Sequence, residues 1–227
     1  MTATTAIERQ QRLHGLYAIT PEAGDLTRLV AMVRAAIDGG ARLVQYRAKD
    51  LAARDRLRQA QALASLCRER GVPLIVNDDL ELALRVAADG VHLGRDDGDP
   101  RQARLRMPDA IIGVSCYNEP ARAIAAAQAG ADYVGIGSVF ASSTKPHAVR
   151  SGLAALSEAK RLAFLPVAAI GGISAANAAE AVAAGADMLA VISALFEAPD
   201  VTAAARALSR PFDTESDPHV RTQPAAV

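Results

Sequence analysis

Two carboxylates, Asp78 and Asp97, follow short apolar runs at 74–76 and 91–93. Hard oxygen ligands of this kind suit magnesium, which takes one or two carboxylates, keeps several waters and completes its shell with substrate phosphate. Asn77 stands beside the first carboxylate. Asp79 and Asp96 are adjacent, and one of each pair can equally serve as a helix cap. Gln45, Arg47 and Lys49 alternate at the end of another apolar run. Period two puts all three on one face, where two cations and an amide can grip a polyanion. The plainer alternative is a solvated strand end paired with Asp50. Gly171-Gly172 closes a run at 167–170, and Ile192-Ser193 closes the next one. Glycines let backbone N–H groups approach a phosphate, and Ser193 adds a hydroxyl donor; alone, the glycines would make only a tight turn. Ser142-Ser143-Thr144-Lys145 lies in a long polar stretch. Lys145 is a candidate phosphate partner there, or else a solvated lysine; the hydroxyls of Ser142 and Thr144 can meet a second phosphate. Ser115 reads as a hydrogen-bonding residue, because no pattern places a base beside it or beside Cys116. His92 stands alone on a short run, a structural or rim contact rather than a metal ligand.

Such residues need elements that bring them together. Apolar runs at 16–19, 42–47, 72–77, 90–93, 111–115, 133–136, 167–170 and 188–192 read as eight strands. Between them lie helical patterns at 25–38, about 54–70, 80–87, 119–129, 153–161 and 174–185, with a last helix to about 208. The segment 94–108 is polar and reads as loop with a short helix. Continuous apolar strands alternating with helices predict a buried parallel sheet, and a (β/α)₈ TIM barrel is its natural closure. An open doubly wound sheet is disfavoured, because no Gly-x-Gly-x-x-Gly follows the first strand. Ala-Gly-Ala-Asp occurs at 129–132 and again at 184–187, each time between a helix and a strand. A barrel gathers its strand ends on one rim, where enzymes of this architecture do chemistry, with phosphate commonly held after strands seven and eight. The barrel is expected over residues 1–210 as one domain, with 211–227 a disordered tail.

Composition narrows the function classes. The chain has 227 residues, 51% of them hydrophobic, enough to bury about 70% of its unfolded surface in one domain. Its formal net charge is zero and only 4% of it is aromatic, which argues against a nucleic-acid partner, and no basic stretch invites an anionic membrane. Two distant cysteines make no metal pair, and the N-terminus lacks the apolar core of a signal peptide. The chain reads as a soluble cytoplasmic protein acting on small molecules; a homo-oligomer is left open.

Leu16-Tyr17-Ala18-Ile19-Thr20, Gln45-x-Arg47-x-Lys49, Asn77-Asp78, Asp89-Gly90-Val91-His92-Leu93-Gly94, Gly113-Val114-Ser115, Ala131-Asp132-Tyr133, Thr144-Lys145-Pro146 and Ile170-Gly171-Gly172-Ile173 occur in one order. Together they closely resemble the thiamine-phosphate synthase family, over roughly residues 15–200. The resemblance implies a magnesium-dependent transferase joining an aminopyrimidine methyl diphosphate to a hydroxyethylthiazole phosphate, with release of pyrophosphate. It implies that the stretch Gln45, Tyr46, Arg47, Ala48 and Lys49, with Asn77, Ser115 and Lys145, contacts the pyrimidine diphosphate. Arg47, Lys49 and Lys145 would be its catalytic cations. Asp78 and Asp97 would hold Mg2+. Ser142, Ser143, Thr144, Gly172, Ile192 and Ser193 would contact the thiazole phosphate. Two departures stand out: Ser142 replaces the family's usual Thr and follows Ala141 rather than Pro, and Arg95-Asp96-Asp97 replaces Gln-Glu-Asp. A thiazole tautomerase of the same barrel type and a non-catalytic thiazole-phosphate binding protein are the competing readings. Retention of Asp78, Asp97 and Lys145 disfavours both.

Overall fold

Short strands of Val, Ile, Leu and Ala without polar alternation must be covered on both faces, and closing the sheet on itself covers one of them. The computed structural model describes residues 5–141 and 150–213. In it β1 (Gly15–Ile19), β2 (Ala41–Tyr46), β3 (Leu74–Asn77), β4 (Gly90–Leu93), β5 (Ile111–Tyr117), β6 (Tyr133–Ile136), β7 (Val167–Ile170) and β8 (Met188–Val191) form a closed parallel barrel in chain order, β8 pairing back with β1. Around it run α1 (Ala6–Gln11), α2 (Leu26–Asp38), α3 (Ala53–Arg70), α4 (Leu80–Val86), α5 (Pro100–Arg106), α6 (Arg122–Gln128), α7 (Ala154–Ala163), α8 (Ala178–Ala183), α9 (Ser193–Phe196) and α10 (Val201–Asp213). This is the expected (β/α)₈ barrel, in one domain.

Period two divides the strand residues between two cores. Tyr17, Ile19, Leu43, Ile75, Tyr133 and Met188 are among those that fill the lumen. Their neighbours, such as Leu16, Val44, Val76, Val134 and Leu189, pack outward under the helices. Each fully buried Leu, Ile or Val contributes about 1.5–3 kcal/mol, so both layers stabilise the closure.

The amino-terminal rim is latched by carboxylates. Asp89, Asp132 and Asp187 each stand at the start of an even strand, and each accepts from a backbone N–H at the start of the strand before it. The donors are Leu74 at 2.9 Å, Ile112 at 2.8 Å and Val167 at 2.8 Å. The two Ala-Gly-Ala-Asp phrases therefore mark two of the three latches. Asp132, almost wholly buried, also accepts from Arg9 Nε at 2.9 Å and from Arg104 at 2.5 Å. Arg9 lies on α1, a helix outside the predicted set. Thr5 and Glu8 form a capping box at its start, a signature already present in the residues Thr-x-x-Glu. Leu13, just after α1, is buried in the lumen cluster and closes this end.

The last helix differs from its expected end. It continues through Pro211 to Asp213, so the boundary at 210 falls inside it. A proline near a helix end interrupts little, and Phe212 is buried, its ring 4.8 Å from that of His14. Gly39 lets α10 seat against the end of α2, since a Cβ there would meet Thr202 and Ala205 at 2.5 Å. The rest of the expected tail, 214–227, lies outside the described residues.

Asp132→Ala leaves two buried guanidinium contacts without their acceptor. It is expected to cost about 3–5 kcal/mol of stability, read as a fall in the denaturant midpoint. A loss under about 1 kcal/mol would show that the latch is marginal.

Candidate active site

Five polar side chains from five strands meet inside the upper lumen. Gln45 Nε2 donates to Tyr17 Oη at 2.6 Å. Tyr17 Oη and Tyr133 Oη lie 2.7 Å apart. Tyr133 Oη is 2.9 Å from His92 Nδ1, and His92 Nε2 is 2.9 Å from Ser115 Oγ. Burial holds His92 down to about 4, against a smaller opposing effect of the Asp78 charge, so its ring is neutral at pH 7. Both tyrosines are pushed up from their ordinary range by burial. Gln45 and Ser115 thus belong to one chain, as sequence reasoning did not foresee. Tyr17 and Tyr133 were missed because each reads as an ordinary strand residue. Their shared parity with Gln45 and Ser115 along the strands is the signal that marks them.

At the rim above β2, β3 and β4 the expected charges come together. Lys49 Nζ is 3.1 Å from Asp78 Oδ2. Asp78 sits in the left-handed region at φ 64°, immediately past β3. Asp97 accepts from the Gly94 N–H at 3.0 Å and lies within hydrogen-bonding reach of Asp78. Partial burial of its carboxylate, then the hydrogen bond and charge of Asp78, raise Asp97 above the usual carboxylate range. Two carboxylates facing one another with one lysine beside them make a hard oxygen pair short of positive charge, a donor set that fits magnesium. Among the described residues, no group of three or more His, Cys, Asp or Glu side chains gathers as a metal site. Asp79 does what its alternative reading held: it caps α4, accepting from Leu82 N at 2.8 Å.

Arg47 and Lys49 are anchored from the segment just after β1 rather than by Asp50. Thr20 Oγ1 accepts from Arg47 N at 2.9 Å, Glu22 accepts from Lys49 N at 2.5 Å, and the Arg47 guanidinium is 3.7 Å from Glu22. Asn77 shares the lumen parity of Ile75 and pairs in register with His92. The side chains of Tyr46 and Ala48 are not brought to the site. Tyr46 points outward and donates to Gln59 Oε1 on α3 at 3.0 Å, and Ala48 packs against the outer core. At those two positions only the backbone lies along the rim. Burial pushes the Cys116 thiol up to about 12, so it is no nucleophile at neutral pH.

Across the lumen, the turn after β7 is built on glycine. Gly171 and Gly172 have φ of 97° and 67°, and a Cβ on Gly172 would run into the backbone of Ala141. Val139 N and Phe140 N donate to the carbonyls of Ile170 and Gly171 at 2.9 and 3.0 Å, tying the loop after β6 to this turn. Asn177 Nδ2 donates to Gly172 O at 2.9 Å. Ile192 packs at the top of the lumen, and Ser193 opens α9 beside it. Ser142, Ser143, Thr144 and Lys145 lie outside the described residues.

Barrel and rim together define a (β/α)₈ enzyme whose strand ends carry an acidic pair, a cationic strand end and a glycine turn. Residues 16–195 match the family model described as thiamine monophosphate synthase, and the chain belongs to that family. A thiamine-phosphate synthase of Aromatoleum aromaticum is 55% identical over 203 residues, covering 89% of this chain and 98% of that one. Another, of Chromobacterium violaceum, is 56% identical over 199 residues, covering 87% and 96%. A solved structure, the thiamine phosphate pyrophosphorylase from Pyrococcus furiosus, superposes with a TM-score of 0.82 at 37% identity, covering 92% of this chain and 99% of that one.

Gly172→Ala forces a side chain into positive φ and against Ala141. The strain is about 1–3 kcal/mol, and the chain relieves it by moving the turn. Its affinity for a phosphate monoester, measured by calorimetry, is expected to fall at least tenfold with the barrel still folded. Unchanged affinity would remove this turn from the phosphate site.

Proposed function

We propose that the chain joins an aminopyrimidine methyl diphosphate to a hydroxyethylthiazole phosphate, forming thiamine phosphate and pyrophosphate in the cytoplasm. One observation carries the reading: an acidic pair that fits magnesium, set beside the cationic end of β2, faces a glycine turn suited to phosphate across one rim. The Asp78–Asp97–Lys49 group stands above β3 and β4, and the Gly172–Ser193 turns stand above β7 and β8, half a barrel away. Close relatives named as synthases support it, while nothing among the described residues of the rim favours the tautomerase or the non-catalytic reading.

Gln45, Arg47, Lys49, Asn77 and Ser115 bind the pyrimidine diphosphate, with Lys145 joining from the loop after β6. Gly172, Ile192 and Ser193, with 142–144, bind the thiazole phosphate. Asp78 and Asp97 would hold Mg2+, which when bound supplies positive charge to the diphosphate oxygens. The methylene C–O bond breaks with its electron pair leaving on the diphosphate. The electron-rich aminopyrimidine stabilises the methylene cation. The thiazole nitrogen then donates its lone pair to form the C–N bond. Arg47, Lys49 and Lys145 offset the charge that grows on the leaving group, and the two anion sites hold the reactants in line. No proton need be removed, which suits a lumen in which His92 is neutral and already bonded at both ring nitrogens.

Purified protein, magnesium and both substrates should yield thiamine phosphate by mass. EDTA should stop the reaction, and Asp78→Ala and Asp97→Ala should each slow it strongly with the fold intact. Full turnover in EDTA would overturn the metal assignment. A unit charge pair at about 4 Å is worth roughly 4 kcal/mol at an effective dielectric of 20. If part of it arises only as the bond breaks, Lys145→Ala should slow the single-turnover step by about one to three powers of ten. Weaker binding with an unchanged chemical step would make Lys145 a positioning residue instead.

A further inference from the structure

The lumen chain has a direction that its atoms decide. Gln45 Nε2 can only donate, and it lies 2.6 Å from Tyr17 Oη. Either hydroxyl could donate across the 2.7 Å between Tyr17 Oη and Tyr133 Oη, but with Tyr17 Oη already accepting from Gln45 the order that leaves no buried proton unpaired sends the Tyr17 proton to Tyr133. The Tyr133 proton then goes to His92 Nδ1 at 2.9 Å. A neutral imidazole that accepts at Nδ1 carries its proton on Nε2. That proton points to Ser115 Oγ at 2.9 Å. Ser115 therefore accepts from below, and its own proton is left to donate toward the rim. Tyr17 and Tyr133 are at most 1% exposed, so solvent does not compete for these bonds. Polarisation along the chain favours one consistent order.

We propose that Gln45 sets the polarity of this chain, and that Tyr17, Tyr133 and His92 are positioning residues that make Ser115 a hydrogen-bond donor to an acceptor atom of the bound pyrimidine diphosphate. A serine hydroxyl ordinarily rotates to give or to take a hydrogen bond. Here it is committed to giving one. A ligand presenting a donor at that point would meet the half-buried Ser115 O–H proton to proton and cover it without a partner, which discriminates between otherwise similar molecules. The identity of the acceptor rests on the proposed function; the direction of the chain does not.

The test reads the histidine directly. Protein labelled with 15N at histidine is examined without substrate, and the His92 resonances are identified by their loss in His92→Asn. The expected result is a pyrrole-type Nε2 and a pyridine-type Nδ1. Gln45→Glu, read at a pH alkaline enough for its buried carboxyl to be ionised and so only to accept, should reverse the order, so that the two resonance types exchange between the ring nitrogens. If that variant does not fold, Ser115→Ala decides. The proton should stay on Nε2 but lose its acceptor, shifting the Nε2–H resonance and leaving Nδ1 pyridine-type. A wild-type proton on Nδ1, no exchange in folded Gln45→Glu, or an unmoved Nε2–H signal in Ser115→Ala would overturn the proposal. No substrate is used, so this failure is separable from failure of the proposed reaction, which the product assay reads.

Discussion

Polar groups buried in a barrel lumen must satisfy one another, and that requirement shapes the upper half of this barrel. Gln45, Tyr17, Tyr133, His92 and Ser115 come from five different strands, and each bond between them is 2.6–2.9 Å long. A register slip in any of those strands would break the chain and strand a buried donor, at about 1–3 kcal/mol per group. The surroundings follow from it. Tyr133 lies where a side chain on Gly113 would be, so β5 must carry glycine there. Gly135 faces the His92 ring at a distance where a Cβ would be in close contact, 3.4 Å. Small residues on β5 and β6 thus make room for large polar ones, and the site above inherits a fixed floor.

The two rims divide the electrostatic work. At the amino-terminal rim every latch carboxylate has a backbone donor, and Asp132 has two arginines as well. At the opposite rim Asp78 and Asp97 face each other, and partial burial, then the hydrogen bond and charge of Asp78, hold Asp97 above its ordinary range. An arrangement that destabilises the empty protein is tolerated where a ligand is to be bound, and the well-paired rim offsets it.

Much of this was legible in the residues. The eight strands, their closure and the grouping of Lys49, Asp78 and Asp97 follow from apolar runs each ended by a polar residue. The ordered motifs pointed to the same family as the later comparisons. What escaped is long-range. Tyr17 and Tyr133 are 116 positions apart, and neither looks polar in a strand pattern. Glu22 and Thr20 anchor Arg47 and Lys49 across strands, which no local spacing encodes. Tyr46 sits among functional neighbours in sequence, but the strand alternation sends its ring to the helix layer. The helix α1 was signalled by its capping box, yet its reason to exist, Arg9 on Asp132, lies 123 positions away.

The three latch aspartates have a further meaning for the architecture. Each joins an even strand to the odd strand before it: β3 to β4, β5 to β6 and β7 to β8. None of the three contacts crosses from one such pair to the next. Strands β3 to β8 are therefore grained in three two-strand units, each closed at its base by its own carboxylate. Chain breaks placed between units leave each carboxylate with its backbone donor, though Asp132 would still reach Arg9 only across fragments, whereas breaks inside a unit separate a carboxylate from that donor. The seams along which this fold can be permuted or reassembled are thus written at the end remote from its chemistry.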